Sequence, residues 1–476
     1  MFEVSKRDGL ARLGKIKTSH GILDTPTLLP VVNPKILTLS MEDLKKCGAQ
    51  GIITNSYIIY KNPELKEIAE NKGVHGLLNW SGPIMTDSGT FQSHVYGEID
   101  MQPEEILNFQ KKIGVDIGTV LDVFCEPETR FEDAKKELEE TQKRIEESDK
   151  NKDSIFLAAP IQGGRHLDLR LKAAQMASKT NADLFPIGGV VPLMEKNNFK
   201  MLAEVIIASK KGLDTSKPVH LFGCGHPMLF ALATFLGCDL FDSSSYAKFA
   251  SRDSLMFTWG TRNLEELEII PSEFSAAPGI NINELKAMEK KERQKIIAKH
   301  NLIASFAEIR RVKQAIHDGL LWELVENRLR TSPALMKVFE VIKKEIDWIG
   351  KFEPAYRYKT PLKTGEESDF RPVFSNLSNS FKSGEMTHPY FGKVPIHLSE
   401  TYPFHPGLLQ NDIEGWKMQD WDVDRVKTIL DYQFGKGMGN VMTDGEIELV
   451  ISRKTKRLRN LLLNGEHVAS LSHRRG

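Results

Sequence analysis

Pro83-Ile84-Met85-Thr86-Asp87 is a short apolar run that ends on an acid, and the same layout recurs along the first half of the chain. It returns as Gly51-Ile52-Ile53-Thr54-Asn55, Thr119-Val120-Leu121-Asp122, Ile155-Phe156-Leu157-Ala158-Ala159-Pro160-Ile161-Gln162, Leu184-Phe185-Pro186-Ile187-Gly188, Val219-His220-Leu221-Phe222-Gly223 and Leu240-Phe241-Asp242. Runs this uniformly apolar read as parallel strands buried on both faces. Amphipathic helices lie between them. The clearest is Phe131 to Lys150, opened by acidic residues, and others start near Pro103, His166 and Asn197. Strand then helix, repeated about eight times in roughly 250 residues, predicts an α/β fold of the TIM (β/α)8-barrel type. An open doubly wound sheet is the competing architecture. It would normally place a glycine-rich phosphate loop after its first strand, and neither GxGxxG nor a Walker loop occurs there.

The residues that end these runs matter more than the runs themselves. Asp87, Asp122, Gln162, Gly188-Gly189 and Asp242 all stand at expected strand C-termini, which in a barrel converge on the face where active sites are built. Any one such Asp is equally well a helix N-cap. Five polar or glycine ends at one mouth are harder to explain by capping. Two carboxylates there suit glycosidic-bond chemistry, one attacking the anomeric carbon and the other managing protons. Taken alone, that spacing also fits a barrel hydrolase acting on small glycosides.

The chain has 476 residues, more than one ordinary domain. Residues 1–347 are expected to form the barrel with a helical block over 281–347, made of Asn283 to Lys299, His300 to Leu320 and Leu335 to Asp347. Residues 348–423 turn rich in Pro, Tyr, Phe and polar residues, and read as a loop-rich linker or module. Residues 424–476 read as a small α+β module: a helix from Asp424 to Phe434, then a hairpin with Asn464-Gly465 as its turn. With 40% hydrophobic and 27% charged residues, and no apolar stretch near the roughly 18 residues a bilayer needs, a cytoplasmic protein without membrane contact is expected. The start, Met1 to Asp8, lacks the layout of a secretory signal. Four scattered cysteines, Cys47, Cys125, Cys224 and Cys238, form no CxxC pair and read as reduced core thiols. Lys+Arg and Asp+Glu balance at 64 each, so the overall basic bias of many nucleic-acid binders is missing. The terminal stretch from Arg453 to Arg475 is nonetheless strongly basic.

Met85-Thr86-Asp87-Ser88-Gly89-Thr90-Phe91-Gln92 resembles the signature of the tRNA-guanine transglycosylases, and further blocks follow in the order of that family's archaeal branch. These are Gln162-Gly163-Gly164, Ile187-Gly188-Gly189-Val190-Val191-Pro192-Leu193, Gly223-Cys224-Gly225-His226-Pro227 and Asp239-Leu240-Phe241-Asp242-Ser243-Ser244-Ser245-Tyr246-Ala247. The resemblance is strong over residues 1–347 and looser beyond. It implies that Asp242 attacks C1′ of a tRNA guanosine and that Asp87 carries protons to and from the bases. Descriptions of the family differ over which Asp is the nucleophile, so the two labels are exchangeable at this stage, with Asp242 taken as the attacking group. Asp122 would read the two donors on the N1/N2 edge of a guanine-like ring. Gln162 and the Gly189 amide would meet its carbonyl edge, with Gly188 and Gly189 allowing close approach of the backbone. Ser88 and Gln92 belong to the same signature block and are counted with the substrate site, as is Phe91, which serves as a stacking wall or as core. A base so enclosed has to leave the tRNA stack. Val190 and Val191, apolar beside the 7-substituent, suit a nitrile better than an aminomethyl cation. The implied incoming base is 7-cyano-7-deazaguanine, exchanged at position 15 of the D-arm in archaeosine biosynthesis.

Two departures from the family follow. Its structural zinc is held by a CxCxxC cluster and a downstream His. Here those cysteine positions fall on Phe274, Ala276 and Gly279, leaving His300 as the lone remnant, so neither zinc nor any other cofactor is expected at that site. Archaeal members also continue into an RNA-binding PUA domain, whereas the sequence given stops at Gly476, so a separate PUA-bearing subunit is an expected partner beside tRNA. The family's tendency to pair implies a homodimer. A non-catalytic tRNA-binding paralogue is the main alternative in another class, and the related archaeosine synthase a second. Retention of Asp87, Asp122, Gln162 and Asp242 weighs against both.

Overall fold

Residues 2–90, 101–153, 155–269, 280–353, 366–372, 385–388 and 392–395 are described by the computed structural model. The chain divides into two units. One comprises residues 1–7, 11–316 and 327–341, the other residues 8–10, 317–326 and 342–476.

The first unit opens with a three-stranded sheet of β1 (Phe2–Asp8), β2 (Ala11–Thr18) and β3 (Gly21–Thr25), in which β2 and β3 pair antiparallel. Eight short strands follow: β4 (Thr27–Pro30), β5 (Ile52–Asn55), β6 (Ile84–Asp87), β7 (Ile117–Thr119), β8 (Phe156–Ala158), β9 (Phe185–Ile187), β10 (Val219–Leu221) and β11 (Leu240–Ser243). They form two parallel four-stranded sheets, ordered β5-β6-β7-β8 and β4-β11-β10-β9. Single parallel bridges join the sheets at both edges, Val31 to Ile53 beside β4 and β5, and Ala158 to Leu184 beside β8 and β9. Each of these strands therefore has a parallel neighbour on either side.

Helices connect consecutive strands. Phe131–Lys150 forms as expected, and Pro103–Lys112, Leu167–Ala177 and Phe199–Gly212 start within a few residues of the sequence signals. Pro103 occupies the first turn of its helix, where its missing N–H costs nothing, and Asn198 caps Phe199–Gly212 by accepting from Met201 N. The core takes one residue from each of six of these strands and Leu184 just before β9. Leu29, Ile53, Met85, Ile117, Ala158, Leu184 and Leu240 cluster with Ile16 and Leu23 of the β2–β3 hairpin. Arg12 fixes that hairpin to the start of β11. Its Nε and Nη2 each donate to the Asp239 carboxylate at 2.7 Å, both side chains being buried.

The differences from the sequence reading have local causes. Of the run Thr119 to Asp122 only Thr119 is strand, as the last residue of Ile117–Thr119. After Val120 N–H donates to Ala158 O, the next carbonyls are taken by side chains, Leu121 O by Arg144 and Asp122 O by Thr90. The run Ile155 to Gln162 is strand only as Phe156–Ala158. Pro160 offers no donor to the ladder, and contact with β9 resumes at the Ile161–Ile187 bridge. β4, the N-terminal sheet of β1 to β3 and the hairpin Ser254–Phe257 with Gly260–Asn263 are strands that the sequence reading did not include. The expected helix break at His300 does not occur. Lys290–Asp318 is continuous, holds neither Gly nor Pro, and stops before Gly319 at φ 71°. Leu335 to Asp347 is divided among Pro333–Met336, Val338–Lys344 and Ile346–Gly350.

Within the second unit, Asp8 accepts from Leu321 N at 3.0 Å, Ser368 donates to Glu326, and Arg371 pairs with Glu323. A two-stranded antiparallel pair, Glu385–His388 with Gly392–Pro395, completes what is described there. Most of the expected module 348–423, and all of 424–476, lies outside the described residues. Among the described residues no helix is long and apolar enough to cross a membrane.

Candidate active site

Asp87 is the last residue of β6 and the register partner of Asn55, the last residue of β5. Asn55 Nδ2 donates to Asp87 Oδ2 at 3.0 Å, and Gly89 N–H donates to Oδ1 at 3.2 Å. Asn55 Oδ1 meanwhile caps the helix Ser56–Lys61 by accepting from Ile58 N, which fixes the amide's orientation. Burial lifts the Asp87 carboxyl to about 6, with the neighbouring Asp122 and Asp242 charges adding to the rise and the Gly89 and Asn55 hydrogen bonds opposing it. Such a group exchanges protons readily near neutral pH.

Asp122 lies three residues past the end of β7 and is buried. Loop residues from the Asp87 turn hold its backbone. Ser88 Oγ donates to Val120 O at 3.1 Å and Thr90 Oγ1 to Asp122 O at 3.3 Å. Gln162 Nε2 donates to Asp122 Oδ2 at 2.5 Å. Burial raises the Asp122 carboxyl, while Thr90 and Gln162 restrain the rise. Gln162 Oε1 is buried and without a partner among the described residues. Ser88, counted with the substrate site in the sequence, is fully buried and bonded to this backbone, so it shapes the site from beneath.

The Gly188–Gly189 turn follows β9 and packs against Gln162. A Cβ on Gly188 would stand 2.6 Å from Gln162 Nε2. One on Gly189, where φ is +67°, would stand 2.4 Å from Cys125 O. Gly189 admits no side chain, and one at Gly188 would displace the Gln162 amide. Arg170 lies beneath both loops, fully buried in the helix Leu167–Ala177, and donates to Gly164 O at 2.8 Å, Ile161 O at 2.7 Å and Gly188 O at 2.8 Å. Val190 is fully buried next to this turn, and Val191, half-buried, begins the short helix Val191–Glu195.

Asp242 sits in β11 opposite Leu29 of β4. Gly223 N–H donates to its Oδ1 at 2.9 Å, and His220 Nε2 of β10 lies 2.9 Å from the same oxygen. Both neighbours are on Oδ1, and Oδ2 has no partner among the described residues. His220 is completely buried, its ring edge-on to Phe222.

The structure thus brings Asp87, Asp122 and Asp242 close enough that their charges influence one another, with Gln162, Gly188 and Gly189 beside Asp122. Phe91 and Gln92 lie outside the described residues, as does the segment 270–279 that holds Phe274, Ala276 and Gly279. Asn55, Thr90, Arg170 and His220 were not singled out in the sequence. Asn55 ends one of the apolar runs and His220 is the polar member of another, which is a usable signal. Arg170 reads as one more basic residue on a helix.

At the positions where the resemblance implied zinc ligands, the residue types differ. Phe274, Ala276 and Gly279 offer no ligand atom, and His300 is buried with Nε2 3.1 Å from Met256 O and its ring against Phe257. Burial lowers the His300 imidazole to about 4, keeping it neutral.

The family model for queuine tRNA-ribosyltransferase matches residues 7–334, and that for the patch-forming domain C2 of tRNA-guanine transglycosylase matches residues 424–476. A tRNA-guanine(15) transglycosylase of Methanocaldococcus jannaschii is 44% identical over 87% of this chain, which spans 64% of that protein's length. Proteins of the same name from Thermococcus onnurineus and Pyrococcus furiosus are 41% and 40% identical over 98% and 99% of the chain, which covers 82% and 81% of their lengths.

Proposed function

The chain belongs to the queuine tRNA-ribosyltransferase family, and we propose that it exchanges the guanine at position 15 of tRNA for 7-cyano-7-deazaguanine. The single observation that carries the mechanism is the unequal dressing of the two outer aspartates. Asp242 keeps one carboxylate oxygen uncommitted, while both oxygens of Asp87 are held and its carboxyl is raised to about 6.

Asp242 Oδ2 attacks C1′ of the flipped nucleotide. The C1′–N9 bond breaks, its electron pair leaves with guanine, and protonated Asp87 supplies the proton that neutralises the departing base. Asp87, now a carboxylate, takes a proton from the incoming 7-deazaguanine. That base attacks C1′ and expels the Asp242 carboxylate, so the enzyme ends as it began. Asp122 accepts from the two donors of each base in turn, and the Gly189 backbone approaches the carbonyl edge. Val190 and Val191 supply an apolar wall to the 7-substituent. We read the run of eight parallel neighbours as a closed (β/α)8 barrel, with these groups on the loops after its strands. A tRNA substrate fits a reaction in the cytoplasm. No step passes through zinc.

The test is incorporation of radiolabelled guanine into tRNA by the wild-type chain and by Asp242→Ala. Incorporation confined to the wild type is expected. Failure of the wild type to incorporate label with cognate tRNA would favour the non-catalytic accessory-subunit alternative.

A further inference from the structure

Three residues that the exchange chemistry does not use meet at the opposite strand ends. His20 lies in the turn between β2 and β3, His75 on the helix Pro63–Leu78, and Asp116 just before β7. His20 Nδ1 is 3.0 Å from Asp116 Oδ1, and His75 Nε2 is 3.2 Å from Asp116 Oδ2. The two imidazoles stack with centroids 3.6 Å apart, so both facing nitrogens aim at one carboxylate. All three potential ligand atoms lie within 4.8 Å of one another.

We propose that His20, His75 and Asp116 form a binding site for one borderline divalent metal ion of the zinc, cobalt or nickel class. The donor set, two imidazoles and a carboxylate, is the one such ions prefer. The nitrogen-to-oxygen separations match the roughly 3.3 Å edge of a tetrahedron with bonds of about 2.0 Å. The Asp116 side chain is fully buried, and its only ion-pair partners among the described residues are these two histidines. A divalent ion supplies a formal counter-charge to this buried carboxylate. Backbone donors already orient the carboxylate, Ile84 N–H to Oδ2 at 2.9 Å and His20 N–H to Oδ1 at 3.1 Å, in the way ligating carboxylates are steadied. An entry path exists, because the His20 side chain is 42% exposed and an open cleft lined by Met41, Lys45, Trp80 and Ser81 reaches His75. Water would take the fourth position on the His20 side. The ion would tie the β2–β3 turn, a helix and the start of β7 together, a structural clamp remote from Asp87 and Asp242 in the chain's layout.

The test is a titration of the tag-free, chelator-treated full chain with Co2+, followed by the visible absorption of bound cobalt and by displacement with Zn2+. One equivalent is expected, with affinity falling at least tenfold in His20→Ala and in His75→Ala, and unchanged in His300→Ala. Zn2+ should raise the melting temperature of the wild type and of His300→Ala but not of His20→Ala, whose exposed site makes the fold safe to alter. No stoichiometric binding by the wild type, or binding that survives both His20→Ala and His75→Ala, would overturn the assignment. Binding lost only in His300→Ala would return the metal to the family's zinc position.

Discussion

Asn55 and Asp87 stand side by side at the ends of adjacent parallel strands, and the Asn55 amide donates to Asp87 Oδ2 at 3.0 Å. That donation favours the ionised carboxylate against the burial that raises it to about 6. Asn55→Ala is therefore expected to move the Asp87-dependent limb of the pH–rate profile upward and to lower kcat about tenfold. A limb that stays where it is would separate Asn55 from the proton chemistry.

Asp87 also carries a stability cost with a defined sign. In the unfolded chain its carboxyl titrates near 4, in the folded chain at about 6. Between those values the folded state binds more protons, so stability falls as pH rises through the window and the full cost is present above about pH 6. Asp87→Asn is expected to be about 1–2 kcal/mol more stable than the parent at neutral pH, partial exposure of the carboxylate keeping the gain modest. The gain should vanish below about pH 4. Urea melts at several pH values measure this, and the same variant should lose exchange activity by at least ~100-fold.

For Asp242, the expected outcome is a covalent protein–tRNA adduct on denaturing gels. The adduct should form at least ~100-fold more slowly in Asp87→Asn and be absent in Asp242→Asn, and the reverse pattern would exchange the two roles. His220→Phe keeps the ring volume and removes the nitrogen 2.9 Å from Asp242 Oδ1. It should reduce kcat by about 10- to 100-fold while leaving KM for tRNA nearly unchanged.

Gly189→Ala places a methyl 2.4 Å from the Cys125 carbonyl at a φ of +67°. A cost of about 1–3 kcal/mol in stability is expected, together with a rise in KM for the base that exceeds any rise in KM for tRNA. Equal effects on the two substrates would mean that the turn does not touch the base.

Arg170→Met should be among the most damaging substitutions away from the aspartates. It leaves the carbonyls of Gly164 and Gly188 without their donor, at about 1–3 kcal/mol each, and Ile161 O with the Gly188 N–H alone. Loss of thermal stability and weakened base binding are expected together, and a variant of wild-type stability would contradict the buttressing role.

The sequence determined the parallel strands, most of their helices and the polar residues at the strand ends, because uniformly apolar runs and capping signals are local. It also placed Asp87, Asp122, Gln162 and Asp242 in one motif set. β4 and the N-terminal sheet escaped it: Thr27-Leu28-Leu29-Pro30 is short and becomes a strand only because β11 supplies its hydrogen bonds. Register decided the rest. Nothing in the composition says that Asn55 is opposite Asp87, that Arg170 reaches three loop carbonyls, or that His220 Nε2 comes 2.9 Å from the Asp242 oxygen to which the Gly223 amide donates. Nor does it say that His20, His75 and Asp116, spread over 97 positions, meet around one carboxylate. Residue types are written along the chain, but the proton affinity and orientation of a carboxylate depend on burial and on donors brought from distant segments, which exist only once the chain has packed.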